Sequence, residues 1–263
     1  MSRKRRTGRV LLTLDPETLR GELVETAVGL ARAYDAELVI MFVKTADMIN
    51  MAALPFETTV VTRTGHARTI RTADLDRQLD RQAREAEALV ARAAGTVRWS
   101  FRVATGHVEQ VVAEHATEFD LLTVCGSTAR RVRRHPAPGH AALMLLGDGL
   151  RRHRPVVAVY EGDATVLATA HRISKEFGTP LIVALIADDR ANRTRLRRNA
   201  RAWLSRRQLN ATMIEPEPDK TVETLQQLKP GLIAVGRTSR FCAPLHDALD
   251  QGMDQAPMLE VPD

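Results

Sequence analysis

Cysteine is nearly absent: the 263 residues hold only Cys125 and Cys242, too few for a disulfide framework and too far apart for a C-x-x-C pair. Free thiols with a structural place in a reducing compartment are expected, in preference to redox centres. Aromatic residues are also scarce, at 4% beside 27% charged residues, which excludes a membrane protein and suits an ordinary soluble one. No apolar run approaches the roughly 18 residues that a bilayer-spanning helix needs. The eight histidines show no H-E-x-x-H or similar spacing, and the closest pair, His135 and His140, brackets a Pro-Ala-Pro-Gly turn, so no metal is expected. The opening MSRKRRTGR is basic like the start of a secretion signal. The apolar run behind it, Val10 to Leu14, is short and leads straight into Asp15 and Glu17. A frayed basic tail on a cytoplasmic protein is the expectation.

What the chain does contain is a duplication. VLLTLD (Val10 to Asp15), a helical stretch and RAYDAELVIMFV (Arg32 to Val43) return as VVAVYE (Val156 to Glu161), a helical stretch and KEFGTPLIVALI (Lys175 to Ile186). GHVEQVVAEHATEFDLLTVCG (Gly106 to Gly126) is echoed by DKTVETLQQLKPGLIAVG (Asp219 to Gly236). Repetition on this scale sets the domain plan before any single residue is weighed. Each copy alternates short apolar runs with amphipathic stretches, the pattern of βαβ units around a parallel sheet covered on both faces. Two α/β domains in tandem are expected, residues 1–150 and 151–263, each a flavodoxin-like, doubly wound sheet of five parallel strands.

Net charge is +6, which raises the question of a nucleic-acid partner. Residues 1–150 carry 21 Lys+Arg against 18 Asp+Glu, and residues 151–263 carry 17 against 14, so each part is only +3. The surplus is diffuse, and nucleic acid is disfavoured. Two places concentrate it: the tail (Arg3, Lys4, Arg5, Arg6, Arg9) and the run Arg190 to Arg207, which holds eight arginines around an apolar stripe of Leu196, Ala200, Trp203 and Leu204. A solvated outer face and an anion-binding face are the two readings of that run.

The first copy reads as strand 10–14, helix 23–34 and strand 38–43. A long connection over 44–72 follows, which the second copy lacks. A short helix with an extended arm packed on the neighbouring domain, or a ligand lid, would account for it. Leu75, Leu79, Ala83, Ala86, Leu89, Val90 and Ala93 then make one helical stripe, with Asp80/Arg84 and Arg81/Glu85 as i,i+4 pairs on the wet side. Val97 to Val103 alternates strictly, the mark of a strand at a sheet edge. A helix over 108–116, a buried strand 121–124, a basic helix 128–135 and a strand 141–146 complete the copy. The second copy reads as strands 156–159, 181–186, 211–214, 232–235 and 258–261 with helices 165–177, 190–207, 221–228 and 245–249. Gly147 to Arg154 is the linker.

In open α/β sheets, ligands bind beyond the carboxyl ends of the strands where strand order reverses. That rule gathers Asp15, Val43 and the Gly126-Ser127 turn around one crevice: an acid to accept from ribose hydroxyls, and bare backbone N–H groups for phosphate. Asp15-Pro16-Glu17 is equally an N-cap, N1 and N2 sequence for the next helix.

At these residues the order VLLTLD, helix, AELVIMFV, long helix, strand, GHVEQVVAEHA, DLLTVCGS and a closing apolar strand resembles the universal stress protein family, as a tandem-domain member. The resemblance covers nearly the whole chain and is stronger in the first copy. It implies flavodoxin-like domains that pair through their last strands, in a family divided into ATP-binding and non-binding members. The binders carry an acid after the first strand, matched by Asp15, and a G-x2-G-x9-G-(S/T) loop after the fourth. One alignment takes Gly126, Ala129 and Gly139-His140 for that loop. The preferred one takes Gly126-Ser127 as its end, followed by the helix TARRVRRH, with the front of the loop deleted. In the second copy Tyr160-Glu161 ends the first strand and Gly236-Arg237-Thr238-Ser239 has no later Gly-Ser, so nucleotide is not expected there.

The expectation is a non-catalytic stress-response or regulatory module. Its implied ligand is ATP or AMP in the first domain, held by Asp15, Val43, Gly126 and Ser127 with Arg130 or Arg131 near the phosphates. A protein partner is implied but not identified, and a homodimer and a self-paired monomer both fit pairing through last strands. Two rivals stand beside it: a nucleotide-hydrolysing enzyme with Asp15 as its metal-holding acid, and a binder of nucleic acid or anionic surfaces through the Arg-rich helix.

Overall fold

A computed structural model describes residues 8–45, 58–60, 67–69, 72–125, 142–146, 149–151, 153–250 and 256–262. The first half contains β1 (Gly8–Leu14), α1 (Gly21–Tyr34), β2 (Ala36–Thr45), the small strands β3 (Thr58–Val60) and β4 (Ala67–Thr69), α2 (Thr72–Ala94), β5 (Trp99–Gly106), α3 (Val108–His115), β6 (Leu121–Cys125) and β7 (Ala142–Leu146). The second contains β8 (Val156–Tyr160), α4 (Ala164–Phe177), β9 (Leu181–Leu185), α5 (Arg190–Ser205), β10 (Thr212–Ile214), α6 (Thr221–Gln227), β11 (Leu232–Gly236), α7 (Cys242–Asp250) and β12 (Met258–Val261).

Strands β1, β6, β8 and β11 are predominantly apolar because both of their faces are covered, and the buried threonines of β1 and β6 are hydrogen-bonded, Thr13 Oγ1 donating to Thr123 O at 3.0 Å. The order across the first half is β5-β2-β1-β6-β7 and across the second β10-β9-β8-β11-β12, all pairs within a half being parallel. Each half is thus a doubly wound, flavodoxin-like five-stranded sheet whose order reverses beside its first strand. The two sheets join where β7 and β12 pair antiparallel, Met258 opposite Leu145 and Glu260 opposite Leu143, so hydrogen bonding runs unbroken across ten strands. Pairing through the last strands is therefore satisfied inside one chain.

The faces of this sheet differ. On one, a single apolar core runs through both halves, from Leu12, Leu23, Ile40 and Val90 to Ala158, Ile173, Leu196 and Leu259. On the other there are two separate cores: α3 covers Leu11, Val39 and Leu122, while α6 and α7 cover Val157, Ile233 and Met258. The shared core is closed by α1 against α4. Arg32 pairs with Glu176 at 3.6 Å, and the Arg172 guanidinium lies 4.8 Å from the centre of the Tyr34 ring. Burial pushes the Tyr34 hydroxyl up to about 12 against the opposing influences of Arg172 and a hydrogen bond with Thr169. Gly29 is the close approach: a Cβ there would run into the Phe177 ring. The linker joins in, since Leu150 N donates to Thr26 Oγ1 of α1 at 3.1 Å.

Strand β5 is at the sheet edge as its alternation predicts, with Val103 50% exposed. Asp80 feels the Arg84 charge, as the spacing predicts, and binds Lys44 more closely, 2.6 Å away, where Asp76 also binds at 2.8 Å. These hydrogen bonds hold the Lys44 ammonium above its usual range and the Asp80 carboxyl below its own, and fasten α2 to the end of β2. In the 44–72 connection, β3 and β4 pair antiparallel as a hairpin that the sequence pattern did not signal. The expected basic helix 128–135 lies outside the described residues.

Two outcomes follow from the shared core. Gly29→Val should destabilise the protein by about 1–3 kcal/mol, read as a lowered denaturation midpoint, because the Phe177 ring must leave its place. The two tryptophans, Trp99 and Trp203, sit in different halves against the same core. Single-tryptophan variants (Trp99→Phe, Trp203→Phe) should give coincident fluorescence transitions in urea once each is referred to its own stability; separated transitions would show that the halves unfold independently.

Candidate functional site

Two crevices are set up by the reversal of strand order, one in each half. In the first, Asp15 follows β1 and is only 9% exposed. Its Oδ1 accepts from Glu17 N (2.9 Å), Thr18 N (2.9 Å) and Thr18 Oγ1 (2.9 Å), which winds residues 15–18 into a capped turn. Helix α1 starts later, with Arg20 at its N-cap, so Asp15 caps this turn and not the helix. Val43 is fully buried in β2, in register with Ala104 of β5. Cys125 ends β6, and burial, followed by the nearby Asp15 carboxylate, pushes its thiol up to about 12. The structure thus brings Asp15 to the end of β6 across the reversal point. Gly126, Ser127, Arg130 and Arg131 lie outside the described residues.

The second crevice holds a cavity of about 410 Å³. Its walls come from the ends of β8 (Val159, Glu161), β9 (Ile186, Asp188) and β11 (Gly236, Thr238, Ser239), and from the starts of α4 and α5 (Asp163, Asn192). Among the residues that line it, Glu161, Asp163 and Asp188 are acidic and Arg240 is the cation. That guanidinium lies 2.6 Å from Asp188 and 3.7 Å from Glu161, bridging the loops that follow β8 and β9. Both helix starts are already capped from within: Asp163 accepts from Thr165 N (2.8 Å) and Asp189 from Asn192 N (2.7 Å). The lining is therefore net acidic, and the first turns of both helices have side-chain caps of their own. The sequence pattern alone does not signal this cavity.

The Arg-rich helix α5 buries Leu196, Ala200 and Leu204, and Trp203 packs at the edge of the shared core. Arg197 grips Glu215 with two nitrogens, Nε to Oε1 at 2.5 Å, and Arg207 lies 4.3 Å from the centre of the Trp203 ring. Burial, with Lys175 and Arg207 nearby, lowers the pKa of His171, whose ring meets Trp203 edge-on. Part of the helix charge is thereby committed to internal contacts.

One cluster escaped the sequence reading. Cys242 and His246, one turn apart on α7, meet Glu260 of β12, with their donor atoms within 4.8 Å of one another. C-x3-H was present as a spacing, but the third member is 14 residues further on in a strand whose pairing only the fold reveals. Among the described residues, no helix is long and apolar enough to cross a membrane.

The sequence matches no protein-family model and no curated protein. Solved structures do match across its length. A universal stress protein from Archaeoglobus fulgidus is 12% identical with TM-score 0.60, covering 97% of this chain and 96% of that one. A putative universal stress protein from Pseudomonas aeruginosa is 15% identical with TM-score 0.58, covering 97% and 93%. The cytoplasmic domain of a prokaryotic cation chloride cotransporter is 11% identical with TM-score 0.59, covering 97% and 96%. At such identities the likeness is one of fold: the chain is an α/β protein with the tandem architecture seen in universal stress proteins. The same architecture serves a transporter's cytoplasmic domain, so function must be argued from the sites.

The two thiols should be distinguishable. With metal chelated at pH 8, an alkylating reagent should modify Cys242 in the native protein and spare Cys125, whose thiolate is suppressed, until denaturant is added. Mass mapping of the labelled peptides is the check.

Proposed function

We propose that the protein is a universal-stress-protein-like, non-catalytic stress-response or regulatory module made of two domains, 1–150 and 151–263. The observation that carries this reading is the pair of five-stranded sheets joined through their last strands, which accompanies the family-like sequence order of the first copy. The division of labour is asymmetric. The second domain completes the interface and keeps an acidic, arginine-strapped crevice unsuited to phosphates. The first domain is the nucleotide side. There Asp15 is the acid facing ribose and Val43 lies under the base, with the Gly126-Ser127 turn and Arg130 serving the phosphates of ATP or AMP. Asp15 already commits one oxygen to the 15–18 turn, which leaves weaker ribose recognition than an unengaged carboxylate would give. The cytoplasm, and action through a protein partner, complete the proposal.

Native mass spectrometry and calorimetry with ATP and AMP test it. The expected result is at most one nucleotide per chain, with affinity reduced at least about tenfold, roughly 1.4 kcal/mol, by Asp15→Asn. The amide oxygen of that variant preserves the turn while its charge is lost. Binding that survives Asp15→Asn and is lost on Arg240→Ala would move the site to the second domain. Absence of binding at millimolar nucleotide would refute the nucleotide assignment. Steady turnover of ATP, abolished by Asp15→Asn, would replace the module by an enzyme.

A further inference from the structure

The cluster on α7 and β12 has features that an ordinary buried ion pair does not need. Glu260 is 8% exposed and, with Asp15, is one of the two carboxylates buried among the described residues. It occupies a strand hydrogen-bonded on both sides, opposite Val235 of β11 and Leu143 of β7, where charge is costly unless fully paired. Its Oε1 lies 2.7 Å from His246 Nε2, and its Oε2 lies 3.7 Å from Arg237 Nε. Arg237 therefore steadies one oxygen while the other faces the imidazole. Cys242 adds a third donor of different chemistry. Its backbone N–H bonds to Ser239 O (3.0 Å), which fixes the start of α7 and sets its side chain and that of His246 one helical turn apart on one face.

We propose that Cys242, His246 and Glu260 form a binding site for a zinc-type divalent ion. A thiolate, an imidazole and a carboxylate drawn together within 4.8 Å are donors for a borderline-soft cation and a poor set for magnesium or calcium, which require oxygen cages. Bond lengths of about 2.0–2.3 Å separate tetrahedral ligands by roughly 3.3–3.8 Å. The cluster reaches that geometry if the ring and the carboxylate part by a fraction of an ångström, the Cys242 sulfur closes on them by up to about an ångström, and the ion takes the place of the bridging proton. Cys242 is partly exposed, while His246 and Glu260 are buried, so the fourth position falls on the solvent side. Arg237, held by its own N–H to Val261 O at 2.8 Å, orients the carboxylate from behind, the supporting role that outer-shell partners play around metals. The site ties α7 to β12, the strand that joins the two halves.

Cobalt(II) titration of the full-length, chelator-stripped protein is the test. One Co2+ per chain is expected, with the near-ultraviolet absorption of a thiolate–cobalt bond, displaced by one equivalent of Zn2+. Cys242→Ser should abolish that absorption, Cys125→Ala should leave it unchanged, and Glu260→Gln should weaken binding at least about tenfold. Circular dichroism of each metal-free variant verifies folding, and the partly exposed Cys242 makes the serine variant the decisive one. Failure of the wild type to develop the absorption at stoichiometric cobalt, or its persistence in Cys242→Ser, would overturn the proposal. Nucleotide binding by the first domain is read separately and does not bear on this result.

Discussion

The antiparallel pairing of β7 with β12, roofed by α1 against α4, is the constraint on which the rest of the structure rests. A five-stranded parallel sheet that ended at β7 would present an unpaired edge beside a half-built apolar face. Because β12 supplies the missing partner, the hydrogen-bond ladder continues and the core on one side becomes common to both copies. The tolerance at this joint is small: Gly29 is the residue that lets the Phe177 ring reach α1.

The same two-fold arrangement gives crevices of unlike character. The first pairs a buried carboxylate with a buried thiol at the ends of β1 and β6; the carboxylate is partly spent on shaping its own turn. The second gathers acids around Arg240 and caps its helix starts from within. Burial and charge, more than the backbone path, make the two differ. Had only the strand order been known, the two would have looked equivalent.

Much of the fold was legible because its signals are local. Continuous apolar runs such as Val10 to Leu14 and Leu232 to Val235 have to be buried on both faces, and the alternation in Val97 to Val103 marks an edge. The duplication then supplied the order of elements. What stayed hidden depends on partners distant in sequence. Asp80 looks like a helix-surface acid until β2 brings Lys44 to it, and Asp15 looks like a helix cap until the 15–18 turn intervenes. The crevices were less legible than the fold: the pattern places Asp15 and Val43 at strand ends, whereas the acidic wall of Glu161, Asp163 and Asp188 and the meeting of Cys242 with Glu260 arise only when separate elements converge. The 58–69 hairpin gave no warning, its strands being three residues each.

Placing both partners of the last-strand pairing in one polypeptide has an evolutionary consequence. In a pair of identical subunits every substitution occurs twice, so a change useful in one pocket is imposed on its twin and on both sides of the contact. Fusion removes that symmetry: the two copies mutate independently, and either pocket is free to acquire or abandon a ligand while the other keeps its own.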